Sequence, residues 1–338
     1  MRILVLMLKD FVPPESIAGL TEKQMAPWRT EYDVSSALHN MGHDVRALGV
    51  DNELAVIRKE LHEFKPRIVF NLLEEFGGLS TYVPYVLGYL ELLRQPYTGC
   101  NPRGMMTAND KALTKKIVRH HRISVPDFAV FPWGKAVRRP RRLVFPLIVK
   151  SATEHGSVGI AQASLVQDDE QLRERVAFVH EKLGTDAIAE QYIDGREFYV
   201  GVIGNRRLRT FPIRELMLTK LADGVPRIAT EKVKWDADYQ EKQGIRTRSA
   251  TDLPPEIEAQ MHKLCKRVYR ILGLSGYARM DFRLNDQGKV FLLEPNPNPD
   301  LAWDDEFAQA AEADRITYER LLASILRLGL RYEAGWKT

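Results

Sequence analysis

Cysteine is nearly absent: Cys100 and Cys265 are the only two in 338 residues and lie far apart in the chain. A disulfide framework and a zinc site built on paired thiolates are therefore both excluded. Long hydrophobic runs are missing as well. The first strand-like stretch ends in Ile3–Leu8, six apolar residues before Lys9-Asp10, too short for a signal or membrane-spanning segment and suited to a buried strand. A cytoplasmic location without a membrane partner is the expectation. Net charge is slight, +4 from 49 basic and 45 acidic side chains, so no dense basic face for nucleic acid is indicated. No Gly-x-Gly-x-x-Gly follows the first strand, and the dinucleotide fingerprint is absent too. Repeats and low-complexity segments are likewise missing. What remains is a chain with 44% apolar residues, ordinary for a globular protein, and long enough for two or three modest domains.

Strand-like Arg2–Leu8 is followed by an irregular segment, 9–29, with Pro13-Pro14, Gly19 and Pro27. Val34, Ala37, Leu38 and Met41 recur at helical spacing after Glu31, and Gly42 stops the helix. Asp44–Val50 reads as a strand, Glu53–Phe64 as a helix and Arg67–Leu73 as another buried strand. This βαβαβ rhythm predicts a small parallel sheet with helices on its faces, where ligands bind beyond the carboxyl ends of the strands. Glu74, Glu75 and Gly77-Gly78 sit at one such end. A helix over Thr81–Leu93 and the segment Tyr97–Pro102 close this unit.

A second unit opens with a basic helix, Asn109–His121; Val125-Pro126 opens a strand, and Phe145–Lys150 is a strand ending on a lysine. Lys135–Arg142 carries five basic residues, either a solvated loop or a patch facing phosphate or a partner. Ser151–Gly159 is a small-residue loop before the alternating Ile160–Val166; it either donates backbone N–H groups to phosphates or simply turns a hairpin. After a helix at Asp169–Leu183, Ala187–Ile193 and Glu197–Ile203 read as strands. Glu215–Arg248 is polar and poorly periodic, which predicts a long mobile loop of the lid type. Helices at Pro255–Leu272 and Thr317–Leu330 flank the stretch richest in chemistry.

That stretch is Arg279–Asp300. Alternating runs at Tyr277–Leu284 and Lys289–Leu293 surround Asn285-Asp286-Gln287-Gly288, which predicts a β-hairpin. With the turn centred on Gln287-Gly288, Asp281 lies opposite Glu294 and Arg279 opposite Asn296. All four polar side chains then share a face, with Met280, Phe282, Leu284, Phe291 and Leu293 on the other. Two opposed carboxylates repel unless a cation or proton lies between them. With an amide oxygen beside them they suit Mg²⁺, which also takes substrate phosphates. A merely hydrated polar face is the plainer account, weighed against by Arg279 and the stiff Pro-Asn-Pro-Asn-Pro exit.

Taken in order, these motifs resemble the ATP-grasp superfamily, specifically D-alanine–D-alanine ligase and its relatives, over nearly the whole chain. The resemblance implies an α/β fold, α+β in the ATP-binding part: a parallel-sheet domain (1–104), a central subdomain with a glycine-rich flap (105–187) and a C-terminal subdomain with lid and metal site (188–338), the last two sandwiching ATP. The helix Thr-Glu-Tyr-Asp-Val-Ser-Ser is similar to the one whose acid, here Glu31, holds the amino group of the first substrate. Asn-Asp-Lys-Ala-Leu-Thr-Lys-Lys puts Lys111 near the phosphates. Val-Lys-Ser-Ala-Thr-Glu-His-Gly-Ser-Val-Gly implies Lys150 on the α/β phosphates and Glu154, Gly156, Ser157 and Val158 as flap, with Ser157 also at the reacting centre. Ala-Glu-Gln-Tyr-Ile-Asp-Gly-Arg-Glu-Phe resembles the adenine hinge, with Glu190 and the backbone of Gln191, Tyr192 and Ile193 on adenine and Glu197 on ribose. Lys234 resembles the lid lysine of the γ-phosphate. Asp281, Glu294 and Asn296 match the Mg²⁺ ligands, and Arg279 the group at the oxyanion. The cofactors implied are ATP and Mg²⁺, two ions, with Mn²⁺ able to substitute. The implied partners are small carboxylate and amine substrates, amino acids or peptides, and a second copy in a homodimer.

The chain departs from that family where the second substrate binds. A Pro-Gly-Met-Thr segment and a later Ser-Leu pair grip the acceptor's carboxylate there; here Pro297-Asn298-Pro299-Asp300-Leu301-Ala302-Trp303-Asp304-Asp305 stands instead. Glu74-Glu75 also replaces a histidine-glycine pair. An acidic wall is a poor place for an incoming carboxylate. The resulting expectation is an ADP-forming carboxylate–amine ligase with an altered acceptor; the alternatives are a true D-alanine–D-alanine ligase of peptidoglycan synthesis and a non-catalytic nucleotide-binding module.

Overall fold

The computed structural model describes residues 1–154, 156–220 and 227–335. Three sheets organise the chain. The first is parallel, in the order β2-β1-β3, from β1 (Arg2–Leu8), β2 (Asp44–Val50) and β3 (Ile68–Asn71). Both faces of β1 are covered, which is why its sequence is continuously apolar. Leu4 and Leu6 enter one core with Val69, while Ile3, Val5 and Met7 enter another with Ile68 and Phe70. The helix Arg29–Asn40 buries Val34, Ala37 and Leu38, and its first turn lies at the carboxyl end of the sheet, carrying Glu31.

The second sheet is antiparallel, β4-β7-β5-β6, from β4 (Phe128–Phe131), β5 (Leu147–Ser151), β6 (Leu165–Val166) and β7 (Ala187–Gln191). It has its own core of Leu147, Val149 and Ala189 under Leu172 and Val176 of the helix Asp169–Phe178. The strand expected over Ile160–Val166 shrinks to β6, because Gly159 is left-handed and the Ser164 hydroxyl captures the Ala161 N–H, curling 162–164 into a 3-10 turn.

The third sheet runs β11-β10-β8-β12-β13, from β8 (Arg196–Ile203), β10 (Arg214–Leu218), β11 (Ile245–Ser249), β12 (Tyr277–Leu284) and β13 (Val290–Asn296), with β9 (Arg209–Thr210) added to β8. The long loop expected over Glu215–Arg248 is corrected here. It contains β10, β11 and two short helices, Glu231–Trp235 and Ala237–Gln243; residues 221–226 of it lie outside the described residues, as does position 155 of the small-residue loop. Its polar sequence is resolved by cross-strand charge. Glu215, 3% exposed, takes Arg196 at 2.6 Å and Arg248 at 3.0 Å.

The hairpin register holds where it matters: Arg279 pairs with Asn296 and Asp281 with Glu294. It slips by one residue just beyond, so that Phe282 meets Leu292, a bulge with Leu293 as the extra residue. The apolar face is consequently Met280, Phe282, Leu284, Val290 and Leu292, correcting the expected Phe291 and Leu293. The helix expected over Asn109–His121 is present as Lys111–His120, capped by Asp110, and a further short helix that was not expected, Pro102–Asn109, precedes it. A helix at Glu306–Ala313 had no clear sequence signal. Among the described residues, no helix is long and apolar enough to cross a membrane.

Candidate active site

Two cavities meet on the polar face of β12 and β13. The larger, about 520 Å³, is lined by Arg279 and Asn296; the smaller, about 90 Å³, by Asp281 and Glu294. Glu154, Val158 and Lys234 wall both, so the flap loop and the lid helix form the partition between them. Alternation along β12 presents Arg279, Asp281 and Arg283 in turn to the site.

Asp281 is 3% exposed and both its oxygens are held by Arg279, at 2.8 and 3.0 Å. The same guanidinium reaches Glu306 at 3.0 Å and lies over the Tyr199 ring, 4.6 Å from its centroid. Burial opposes the Arg279 charge, but Asp281 and Glu306 more than compensate and hold it fully cationic. Burial likewise raises the Asp281 pKa, with Arg279 pulling it back. Among the described residues no cluster of three His, Cys, Asp or Glu is placed for a metal. Asn296 completes the donor set with an amide oxygen, oriented by the Asn298 N–H at 2.9 Å. Two carboxylates and an amide oxygen are the hard donors that fit Mg²⁺.

The floor of the smaller cavity is a buried charge cage. Glu190, 1% exposed, lies 3.3 Å from Lys115 and 3.2 Å from Lys150, and Lys111 is 3.8 Å from Glu294. Lys115 also donates to the Leu293 carbonyl and Lys111 to that of Glu154. Burial pushes the Lys115 pKa down to about 8 against the pull of Glu190. Burial also works against Lys150, yet Glu190 and Glu294 carry its pKa above the ordinary value. The flap beside it turns through left-handed residues, Gly156 at φ +66°, Ser157 at +61° and Gly159 at +69°. It is clasped to the lid: Glu231 accepts from the Gly159 N–H at 2.8 Å and its own N–H donates to the Ile160 carbonyl at 2.9 Å.

The family model "D-ala D-ala ligase C-terminus" matches residues 117–327. The D-alanine–D-alanine ligase B of Chromobacterium violaceum is 30% identical over 87% of this chain and 89% of its own. The chain belongs to the D-alanine–D-alanine ligase family. It is thereby one of the ATP-grasp ligases, which form carbon–nitrogen bonds with cleavage of ATP to ADP. The Aquifex aeolicus D-alanine–D-alanine ligase is 28% identical over 96% of this chain and 100% of its own, and an uncharacterized protein of Sinorhizobium fredii is 29% identical over 91% and 90%. The fold is shared with a Bacillus anthracis D-alanine–D-alanine ligase solved in complex with ATP, at TM-score 0.75, 22% identity and 98% coverage of both chains.

Within this family framework the expected hinge is only partly free. The Gln191 and Tyr192 N–H groups are spent on the Asp127 and Pro146 carbonyls at 2.7 and 3.0 Å, leaving that of Ile193 unengaged among the described residues. Glu197 is bonded on both oxygens, by Arg283 at 2.5 Å and the Tyr199 hydroxyl at 2.9 Å. Arg283 also holds the Ile193 carbonyl at 3.1 Å. Neither Arg283 nor Lys115 was singled out from sequence. Lys115 had a signal, since it lies four residues after Lys111 on one helix face; Arg283 had one too, two residues from Asp281 on a strand. Glu306, the second partner of Arg279, had none.

The remaining wall is acidic: Glu74, Glu75, Asp300, Asp304, Asp305 and Glu306 line the larger cavity. Asp300 accepts from the Thr30 hydroxyl and from the Ala302 N–H at 2.8 Å. Glu31 lies just behind, 4% exposed, and lines neither cavity itself. Burial, then Glu74 and Asp300, push its pKa up to about 8.

Proposed function

We propose that this protein is an ATP-dependent carboxylate–amine ligase acting through an acyl phosphate, with the nucleotide in the smaller cavity and the substrates in the larger. The division 1–104, 105–187 and 188–338 belongs to the same proposal. One observation carries it: adjacent positions of one hairpin give Asp281 and Glu294 to one cavity and Arg279 and Asn296 to the other. A γ-phosphate and a carboxylate brought to that seam would meet beside a buried guanidinium. Asp281, Glu294 and Asn296 would hold Mg²⁺, which neutralises phosphate charge when bound.

Lys111 and Lys150 neutralise the phosphates, and Lys234, on the partition, serves the γ-phosphate as it passes to the carboxylate. Arg279 offers fixed donors to the oxygen that gains charge when the amine attacks and phosphate departs. Ser157 and the flap cover the seam, and the lid keeps out water that would hydrolyse the acyl phosphate. Glu31 faces the donor's amino group through Glu74 and Asp300. Adenine would take the Ile193 N–H, and Glu197 the ribose. Glu294→Ala is expected to abolish Mg²⁺-dependent ADP formation measured by coupled enzyme assay; retained turnover overturns the metal assignment.

The relatives named as D-alanine–D-alanine ligases favour D-alanine as substrate. The acidic wall favours another acceptor, because a carboxylate there meets repulsion. Robust D-alanyl-D-alanine synthesis would overturn the altered acceptor and leave the ligase chemistry standing.

A further inference from the structure

Behind the flap lies a buried charge to which the ligase chemistry gives no part. Arg175, on the helix Asp169–Phe178, is 8% exposed and has no ion pair among the described residues. Burial alone bears on its pKa, and lowers it, because no carboxylate is close enough to oppose that. Its Cζ stands 4.0 Å from the centroid of the Phe178 ring, and its Nε is buried with no hydrogen-bond partner among those residues. A guanidinium held this way is costly unless its remaining N–H groups are well used. The hydrogen bond it does make runs from an Nη to the carbonyl of Gly159 in the flap.

Gly159 is thereby gripped on both sides of its Cα. Its carbonyl takes Arg175, and its N–H goes to the Glu231 carboxylate at 2.8 Å. Its left-handed φ of +69° suits glycine, and a Cβ there would stand 2.9 Å from Leu183 Cδ1, in the turn that prolongs the same helix. The flap turn around it is closed by the Ile160 N–H on the Ser157 carbonyl at 2.9 Å. Fixing Gly159 therefore places Ser157, which lines the smaller cavity, and Val158, which lines both. The helix is a firm reference for this, since its Leu172 and Val176 share a core with Leu147 and Val149 of β5, the strand that carries Lys150.

We infer that Arg175 is a positioning residue of the nucleotide site, which sets the flap over the phosphates through the Gly159 carbonyl. Lys150 on β5 and the flap on the helix packed against that strand then answer to one support. Arg175 lines neither cavity and acts through a single peptide group. The inference rests on the ligase function proposed above and on its placement of the nucleotide. It gives Arg175 a part in holding the phosphates and none in holding adenine.

The test takes two measurements on the full chain. One is flap amide hydrogen exchange by mass spectrometry; the other is calorimetric binding of a non-hydrolysable ATP analogue with Mg²⁺, and of adenosine. Arg175→Met keeps an apolar stem in the helix, so exchange across Leu147–Ser151 is expected to match wild type and reports an intact fold. The Gly159 and Ile160 amides are expected to exchange about tenfold or more faster, as loss of one hydrogen bond to a charged group implies. The analogue is expected to bind about tenfold more weakly, while adenosine, which lacks phosphates, binds as before. Arg175→Lys keeps the charge and a donor, and is expected to stay within about threefold of wild type in both measurements. Unchanged flap exchange in Arg175→Met, unchanged analogue affinity, or an equal loss for analogue and adenosine would overturn the inference. Wild-type protein that binds neither ligand would instead sink the placement of the nucleotide, and flap exchange without nucleotide would still decide the part of Arg175.

Discussion

Glu190→Gln offers a sharp test of the cage under the smaller cavity. The substitution keeps the side chain's shape and removes one negative charge, stranding Lys115 and Lys150, which lie 3.3 and 3.2 Å from that carboxylate. Lys115 and Glu190 are each 1% exposed, so water cannot compensate. Removing one partner of a buried pair costs ~3–5 kcal/mol, and that loss is expected in urea unfolding at pH 7. The pH dependence makes the argument specific. The Lys115 pKa is lowered to about 8, so between about 8 and the ordinary lysine value the unfolded chain binds more protons than the folded one, and stability rises with pH. Without Glu190 its pKa drops further and Lys115 sheds its proton more readily. The gap between wild type and variant should therefore narrow at pH 9. A loss under about 1 kcal/mol at pH 7 would refute the buried-pair reasoning, and an equal loss at both pH values would refute the role given to Lys115.

Glu74→Gln should act in the opposite sense. A folded carboxyl with pKa raised to about 7 favours the folded state below the unfolded pKa, and the advantage is lost as pH climbs through the folded value. Glu74 is exposed, so solvent screens the effect. The variant is thus expected to be more stable than wild type at pH 8 by under about 1 kcal/mol, with no gain near pH 5, in thermal unfolding; a variant less stable than wild type at pH 8 contradicts the repulsion from Asp300 and Glu75. Arg283→Met leaves Glu197 buried beside Tyr199 without its cation and should destabilise by ~3–5 kcal/mol. Adding Glu197→Gln should recover much of this, and a double-mutant cycle with zero coupling would disprove the pairing.

The parts of the site legible from sequence were those where local pattern and tertiary position agree. The hairpin could be read because alternation and a turn cluster fix register without outside help, and the parallel sheet because β1 is apolar on both faces. The β10–β11 pair was illegible for an electrostatic reason. Glu215 is buried by two arginines, one of them 33 residues later, so no apolar period marks the strands. The hinge N–H groups looked available because the Asp127 and Pro146 carbonyls that occupy them belong to other strand ends. Glu197 looked free for ribose because Arg283 is distant in sequence.

The bulge at Leu293 has a bearing on engineering this fold. A perfectly regular ladder would engage that residue's backbone with β12; the extra residue instead frees its carbonyl, and Lys115 donates to it. The irregularity therefore wires the acidic strand to the basic helix, setting the spacing between opposite charges by main chain rather than by side-chain length. Tidying the hairpin into ideal geometry would keep every acidic and basic residue and still dismantle the arrangement.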